Sequence, residues 1–142
     1  MVSQISVFLE NKSGRLAEVC KLLGDSGLNI RALSLADTLD FGILRLMVND
    51  PDKAVKALRD GGFTVKESQV LVVEVHDEPG GLSNVLEALS GEGVNVEYMY
   101  AFVEKSGDKA LVVFRVEEPD KAAKLLSGRG VRMVTDEEIK KI

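Results

Sequence analysis

The sequence predicts an α+β chain built from two consecutive β-α-β-β-α-β units. Three observations carry that prediction. A turn-and-helix pattern, Asn11-Lys12-Ser13-Gly14-Arg15-Leu16 closed by Gly27-Leu28-Asn29-Ile30, returns as Asp77-Glu78-Pro79-Gly80-Gly81-Leu82 closed by Gly93-Val94-Asn95-Val96. Leu16 to Leu82, Gly27 to Gly93 and Asn29 to Asn95 are each separated by 66 positions, so the internal spacing is kept. Around each copy the apolar residues switch between a period of two and a period near 3.6, as strands and amphipathic helices require.

In the first copy, residues 2–10 alternate Ile5, Val7 and Leu9 with Gln4, Ser6 and Phe8, the pattern of a strand with one face on a core. Asn11-Lys12-Ser13-Gly14 interrupts it, and Ser13 is placed to cap the helix that follows. Leu16, Val19, Cys20 and Leu23 fall at i, i+3, i+4 and i+7, one apolar stripe that predicts burial of all four. Gly27 suits the left-handed position that ends a helix. Residues 28–36 read as a second strand, Asp37-Thr38-Leu39-Asp40 as a hairpin turn, and residues 42–49 as a third strand with Leu44, Leu46 and Val48 on one face. Asp50 caps the next helix and Pro51 takes its first turn, where a missing N–H is harmless. Ala54, Val55, Ala57 and Leu58 form its apolar side, Gly61-Gly62 end it, and residues 63–67 make a fourth strand.

The second copy follows suit. Leu71, Val73 and Val75 repeat Ile5, Val7 and Leu9, and Leu82, Val85, Leu86 and Leu89 repeat the helix stripe. The hairpin, with Ser106-Gly107-Asp108 as its turn, is longer by two, so the shift becomes 68; Pro119-Asp120-Lys121-Ala122 then matches Pro51-Asp52-Lys53-Ala54, and Val131 and Met133 match Phe63 and Val65. Residues 136–141 form a short charged terminal helix. This element order specifies two ferredoxin-like units, residues 1–68 and 69–142, each a four-stranded antiparallel sheet with both helices on one face. Right-handed crossovers put the first and third strands at the centre. The other face of the second sheet would carry Val70, Val72, Met99, Ala101 and Val113, too apolar for water, so a sister unit or a second chain is expected to cover it.

The composition narrows the function. A chain of 142 residues with 45% hydrophobic and 29% charged residues is globular. A net charge of -5 and a pI near 5.0 oppose binding of nucleic acid through bulk electrostatics. No basic region followed by an apolar stretch opens the sequence and no segment is long enough to span a bilayer, so neither a signal peptide nor a membrane role is expected. One cysteine excludes an intramolecular disulfide and fits a reducing cytoplasm. One histidine excludes a two-histidine metal site, and the absence of a Cys-x-x-Cys pair excludes metal transport, so neither metal nor cofactor is expected.

Each turn delivers a helix N-terminus to the end of a central strand. Free N–H groups and the positive end of the dipole suit a carboxylate or phosphate there. The asparagine that opens each second strand is expected near the same edge, and its amide offers both a donor and an acceptor. A small zwitterion fits that chemistry. Turn formation alone also explains these glycines, prolines and serines, and their recurrence at fixed spacing sets the two readings level.

These residues resemble the signature of the ACT domain, a small regulatory module of amino-acid metabolism. The resemblance runs over nearly the whole chain as a tandem pair, with Asn11 and Ser13 standing where Asp and Pro are usual. It implies amino-acid binding at interfaces between modules, modules that pair through sheet edges or helices, a homodimer, and regulation of a partner enzyme without catalysis. It implies ligand contacts at Asn11, Lys12, Gly14, Arg15, Leu16, Asn29 and Ile30, and at Asp77, Pro79, Gly80, Gly81, Leu82, Asn95 and Val96.

Other residues are weighed against this reading. His76, beside the second turn, reads as a strand-end surface residue that could touch a ligand. Cys20 reads as core. Tyr98, Tyr100 and Phe102 alternate on a strand and read as core filling, with a ring available to a pocket. Arg15 could pair with a carboxylate or simply face solvent. Arg45 and Arg115 on the third strands are expected between sheets. The competing function is a structural dimerisation module without a ligand. An acylphosphatase-like enzyme lacks its phosphate-loop signature around Arg15, and RNA binding lacks exposed aromatics on the right strands and the right sign of charge.

Overall fold

The computed structural model describes residues 1–37, 40–104 and 107–142. Thr38 and Leu39 of the first hairpin turn, and Ser106 of the second, lie outside the described residues. The elements are β1 (Val2–Glu10), α1 (Arg15–Asp25), β2 (Ile30–Asp37), β3 (Phe41–Val48), α2 (Pro51–Asp60), β4 (Thr64–His76), α3 (Gly81–Gly91), β5 (Val96–Ala101), β6 (Lys109–Val116), α4 (Pro119–Gly128) and α5 (Asp136–Lys141). The order agrees with the predicted one, with a difference at β4. The expected fourth strand of the first copy and first strand of the second are a single strand of 13 residues. Its sequence from Thr64 to His76 holds neither Gly nor Pro, so nothing breaks the extended backbone. The result is one six-stranded sheet of order β2-β3-β1-β4-β6-β5 rather than two separate four-stranded sheets.

The chain divides into two compact units, Ser3–Ser68 with Glu137–Ile142, and Gln69–Asp136 with Met1–Val2. In the N-terminal unit the inward faces of β1 and β3, namely Ile5, Val7, Leu9, Leu44, Leu46 and Val48, pack with Val19 and Leu23 of α1 and with Ala54, Val55 and Leu58 of α2. At 1.5–3 kcal/mol for each large side chain removed from water, burial of about this size is what offsets the entropy of ordering so small a unit. The stripe of α1 is narrower than predicted: Leu16 is 38% exposed and Cys20 is exposed as well. Leu22 rather than Cys20 supplements the core. The C-terminal unit repeats the arrangement with Leu71, Val73 and Val75, Val85 and Leu89 of α3, and Ala122 and Leu126 of α4.

A β-bulge just after the strand-opening asparagine recurs in both units. Ile30 opposes Val48 but Ala32 opposes Met47, and 66 positions on, Val96 opposes Val116 while Tyr98 opposes Arg115. One extra residue reverses which face every later side chain meets. Met99 therefore lies opposite Phe114 and packs on the helix side, against the expectation that it faces away. Ala101, the other strand residue expected there, opposes Val112 and so points the same way as Met99. Tyr98 and Tyr100 take the far face instead, their rings stacked 6.5 Å apart. Val70, Val72 and Val113 do lie on that far face and are buried.

The fourth strand of the second copy is nearly lost. Residues 131–135 separate the end of α4 and Gly130 from the start of α5, and they make one isolated bridge, Val73 to Met133. The Glu74 N–H donates to Arg132 O at 2.9 Å and the Val134 N–H to Val72 O at 2.8 Å, so β4 is bordered there only over this short stretch.

The two caps predicted in the first copy differ in outcome. The Asp50 carboxylate accepts from the Lys53 N–H at 3.2 Å, with Pro51 in the first turn. Ser13 does not cap: the N-cap of α1 is Gly14, and no side chain bonds that helix end. Gly27 ends α1 in the left-handed conformation, at φ +74. Asp50→Ala is expected to lower stability by about 1 kcal/mol, and Ser13→Ala to change it by less than about 0.5 kcal/mol. Urea unfolding of the two variants separates the cases.

Candidate functional site

The two recurrent turns are built alike. Gly14 and Gly80 stand at the N-caps of α1 and α3 with φ of 90 and 85, in the left-handed region that disfavours side chains. Their carbonyls accept from Glu18 and Asn84, both at 3.0 Å, closing the first helical turn. The Arg15 N–H donates to Lys12 O at 3.4 Å and the Gly81 N–H to Glu78 O at 3.0 Å, while no side chain caps either helix, so it is the N–H groups that follow these which can meet a ligand. In the second turn Gly81 is required for packing: a Cβ there would lie 2.0 Å from the His76 carbonyl oxygen.

In the N-terminal unit Asn11, Lys12, Arg15 and Leu16 line one cavity of about 260 Å³, together with Leu9, Leu35 and Asp37. Lys12 Nζ lies 2.9 Å from Glu10 Oε2, and this ammonium holds the Glu10 carboxyl below its ordinary pKa. Arg15 is turned back on its own unit. Its guanidinium lies 4.8 Å from the centre of the Phe63 ring, Nη1 donates to Glu18 at 2.8 Å, and Nε is buried without a partner. In the C-terminal unit Asp77, Pro79, Gly80 and Leu82 are all exposed. Leu82 is 37% exposed, close to the 38% of Leu16 at the matching position.

The asparagines lie elsewhere, against the expectation of a shared edge. β2 and β5 run with the central strand of their unit, so their first residues sit at the end opposite the turn. Asp37 opposes Gly42 near the turn, whereas Ile30 opposes Val48 at the far end, roughly 20 Å away at about 3.3 Å per residue. The Asn29 N–H donates to Asn49 Oδ1 at 3.2 Å, and Asn95 Nδ2 donates to Glu117 Oε1 at 3.3 Å. Ile30 and Val96 are half-buried and pack on the cores behind them. Each unit therefore presents two separate patches, a turn at one end and an asparagine at the other.

A larger cleft of about 690 Å³ lies wholly in the C-terminal unit and shares only Gly81 with the predicted residues. Its walls include His76, Asn84, Glu87, Lys109, Arg129 and Arg132. His76 was recognisable beside the motif. Lys109 emerges only from the register of β4 with β6, which sets it opposite His76. The signal for the others is Arg129-Gly130-Val131-Arg132, a basic cluster in an acidic chain. Arg45 lies on the face of β3 turned from the helices, and Arg115 Nη1 donates to Gln69 O at 2.8 Å. Among the described residues no group of His, Cys, Asp and Glu side chains could hold a metal ion, and no helix is long and apolar enough to cross a membrane.

Comparison with known proteins follows the architecture. A family model described as an ACT domain pair matches residues 1–142. The crystal structure of protein BT0572 from Bacteroides thetaiotaomicron is 43% identical, with a TM-score of 0.92 over 99% of this chain and 96% of that one. The regulatory subunit of aspartate kinase from Thermus thermophilus, in its ligand-free form, superposes with a TM-score of 0.64 at 16% identity over 89% of this chain and 91% of that one. The corresponding subunit from Thermus flavus gives 0.60 at 16% identity, over 89% and 90%. These last two show a common fold. No curated protein matches the chain significantly.

The two kinds of glycine in the turns separate by experiment. Gly14→Ala meets no atom within 4 Å and suffers only the left-handed backbone, a loss of about 1 kcal/mol. Gly81→Ala drives a methyl into a backbone carbonyl and is expected to lose about 2 kcal/mol or more. Thermal unfolding of both variants checks the order.

Proposed function

This chain belongs to the family of ACT domain pairs, and on that premise we propose that it senses an amino acid and thereby modulates an enzyme of amino-acid metabolism. The ACT pair is a regulatory module and not a catalytic one. The observation that carries the proposal is the separation of the two patches in each unit. An uncapped helix N-terminus, suited to a carboxylate, and an asparagine amide, suited to an ammonium or carboxylate, lie at opposite ends of one sheet. Both halves serve one small ligand only where the turn of one unit meets the asparagine of another, and we take that meeting to be between two chains, so that the sensing state is a homodimer. Leu16 and Leu82, apolar and exposed beside the turns, supply surface for that contact.

In this reading the ligand contacts are Asn11, Lys12, Gly14, Arg15, Leu16, Asn29 and Ile30 in one set, and Asp77, Pro79, Gly80, Gly81, Leu82, Asn95 and Val96 in the other. Arg15 contributes wall rather than charge, since its guanidinium is engaged with Glu18 and Phe63. The partner enzyme would respond to the change in association that the ligand brings about, because a ligand shifts an equilibrium only by its differential affinity for the two states.

Thermal unfolding against each of the twenty amino acids tests the proposal. A ligand at about a hundred times its Kd stabilises by about 2.7 kcal/mol, a clear rise in Tm. The expected result is a rise with one chemical class, lost in Asn95→Ala, and a dimer by sedimentation. A stable dimer that responds to no amino acid would establish a structural dimerisation module in its place.

A further inference from the structure

The cleft of the C-terminal unit is about twice the size of the matching cavity in the N-terminal unit, about 350 Å³ bordered by Phe8, Arg15, Phe41 and Phe63, and the repeat explains why. At the shift of 66, Gly81 stands where the first copy has Arg15; at the shift of 68, Val131 stands where it has Phe63. In the first copy the Arg15 guanidinium lies on the Phe63 ring, 4.8 Å from its centre, and the pair narrows the matching cavity that both side chains line. In the second copy a glycine and a valine leave that space open. The short segment that replaces the fourth strand borders the same space, held to β4 by the Val73–Met133 bridge and by backbone hydrogen bonds from the Glu74 N–H to Arg132 O and from the Val134 N–H to Val72 O. A cleft of about 690 Å³ remains, in the size range of small-molecule sites.

Its chemistry is asymmetric. Val75, Val85, Ala88 and Val131 form an apolar floor, with the first three buried. Lys109, Arg129 and Arg132 bring positive charge to the walls, against Glu74 and Glu87. Arg132 Nη1 bonds Glu74 Oε1 at 2.7 Å, which commits that carboxylate. Glu87 accepts from Ser83 Oγ at 3.3 Å. Lys109 Nζ lies 3.0 and 2.9 Å from the two ring nitrogens of His76, contacts that position the ammonium and leave its charge in place. Among the described residues neither Lys109 nor Arg129 pairs with a carboxylate, whereas several of the surface lysines do. Two cations without a carboxylate partner stand against the one remaining carboxylate, Glu87, and this surplus of positive charge over an apolar floor, in a chain of net charge -5, marks a place suited to a negative group attached to an apolar body.

We propose that this cleft is a second ligand site, present once per chain, which binds a small organic acid with its carboxylate on Lys109 and Arg129 and its apolar part on Val75, Val85 and Val131. Asn84 borders the same wall and donates or accepts as the ligand requires. An inorganic anion would satisfy the cations and leave the floor wet, so the apolar body is part of the recognition. The site shares Gly81 with the turn patch and contains none of the asparagine patch.

Isothermal titration of the full chain with acetate, hexanoate, inorganic phosphate and hexylamine tests this. Hexanoate is expected to bind at one site per chain, more tightly than acetate or phosphate, with no binding of hexylamine. Loss of one charge-assisted contact weakens binding about tenfold, so Arg129→Ala and Lys109→Ala should each show that loss, and both side chains are accessible enough for the fold to tolerate it. Val131→Phe restores the ring of the first copy and should narrow the cleft and weaken hexanoate binding with the cations intact. Asn95→Ala should bind hexanoate as the unaltered chain does. The proposal is overturned if hexanoate gives no heat, if hexylamine binds equally well, if Val131→Phe binds as before, or if Asn95→Ala abolishes binding.

Discussion

The burial of one strand face against two helices is the constraint on which each unit rests. Ile5, Val7 and Leu9 in one unit, and Leu71, Val73 and Val75 in the other, are 0–4% exposed and face helix residues that have little other apolar support. A strand held in this way has no freedom to slip, because a shift of one residue would turn its whole apolar set to the opposite face. The turn at its end is therefore held at a definite place, and so is the helix N-terminus that the turn delivers. Antiparallel pairing with β3 or β6 then carries the second strand in the same direction as the central one, which places the asparagines far from the turns.

Under the proposed function, that separation is what would make the ACT pair a sensor. A unit that gathered carboxylate-binding and ammonium-binding groups at one end could hold an amino acid alone, and ligand binding would then have no bearing on association. With such groups at opposite ends of a sheet, occupancy and association would be linked, and a small molecule could act on protein contacts. The bulges after Asn29 and Asn95 belong to the same design. They let the strand-opening residues Ile30 and Val96 pack inward while the residues that follow take the reversed alternation.

The repeat also shows how two copies of one motif diverge in chemistry. Arg15 and Phe63 narrow a space that is about twice as large where Gly81 and Val131 replace them. The narrow version contributes stability through a stacked cation and ring, worth about 0.5–2 kcal/mol. The wide version gives up that contact and gains a cleft with two cations that no carboxylate pairs. Gly81 is doubly constrained, since any side chain would strike the His76 carbonyl.

The sequence by itself determined the element order, the tandem repeat, the inward faces of the strands, the Asp50 cap and the family. These rest on local periodicity and on short-range turn chemistry, which a linear pattern records directly. Residues 64–76 show the limit: the pattern predicted two strands, but whether a chain turns between two extended runs depends on what each run pairs with. Only the tertiary structure decided that β4 is continuous, that a bulge reverses Met99 and the tyrosines, that Cys20 faces solvent, and that each asparagine lies far from its turn. It alone joined Lys109 to His76 and Arg129 around one cleft. Register, bulges and the tilt of a helix on a sheet are settled by packing between segments distant in sequence, and no local pattern carries that information.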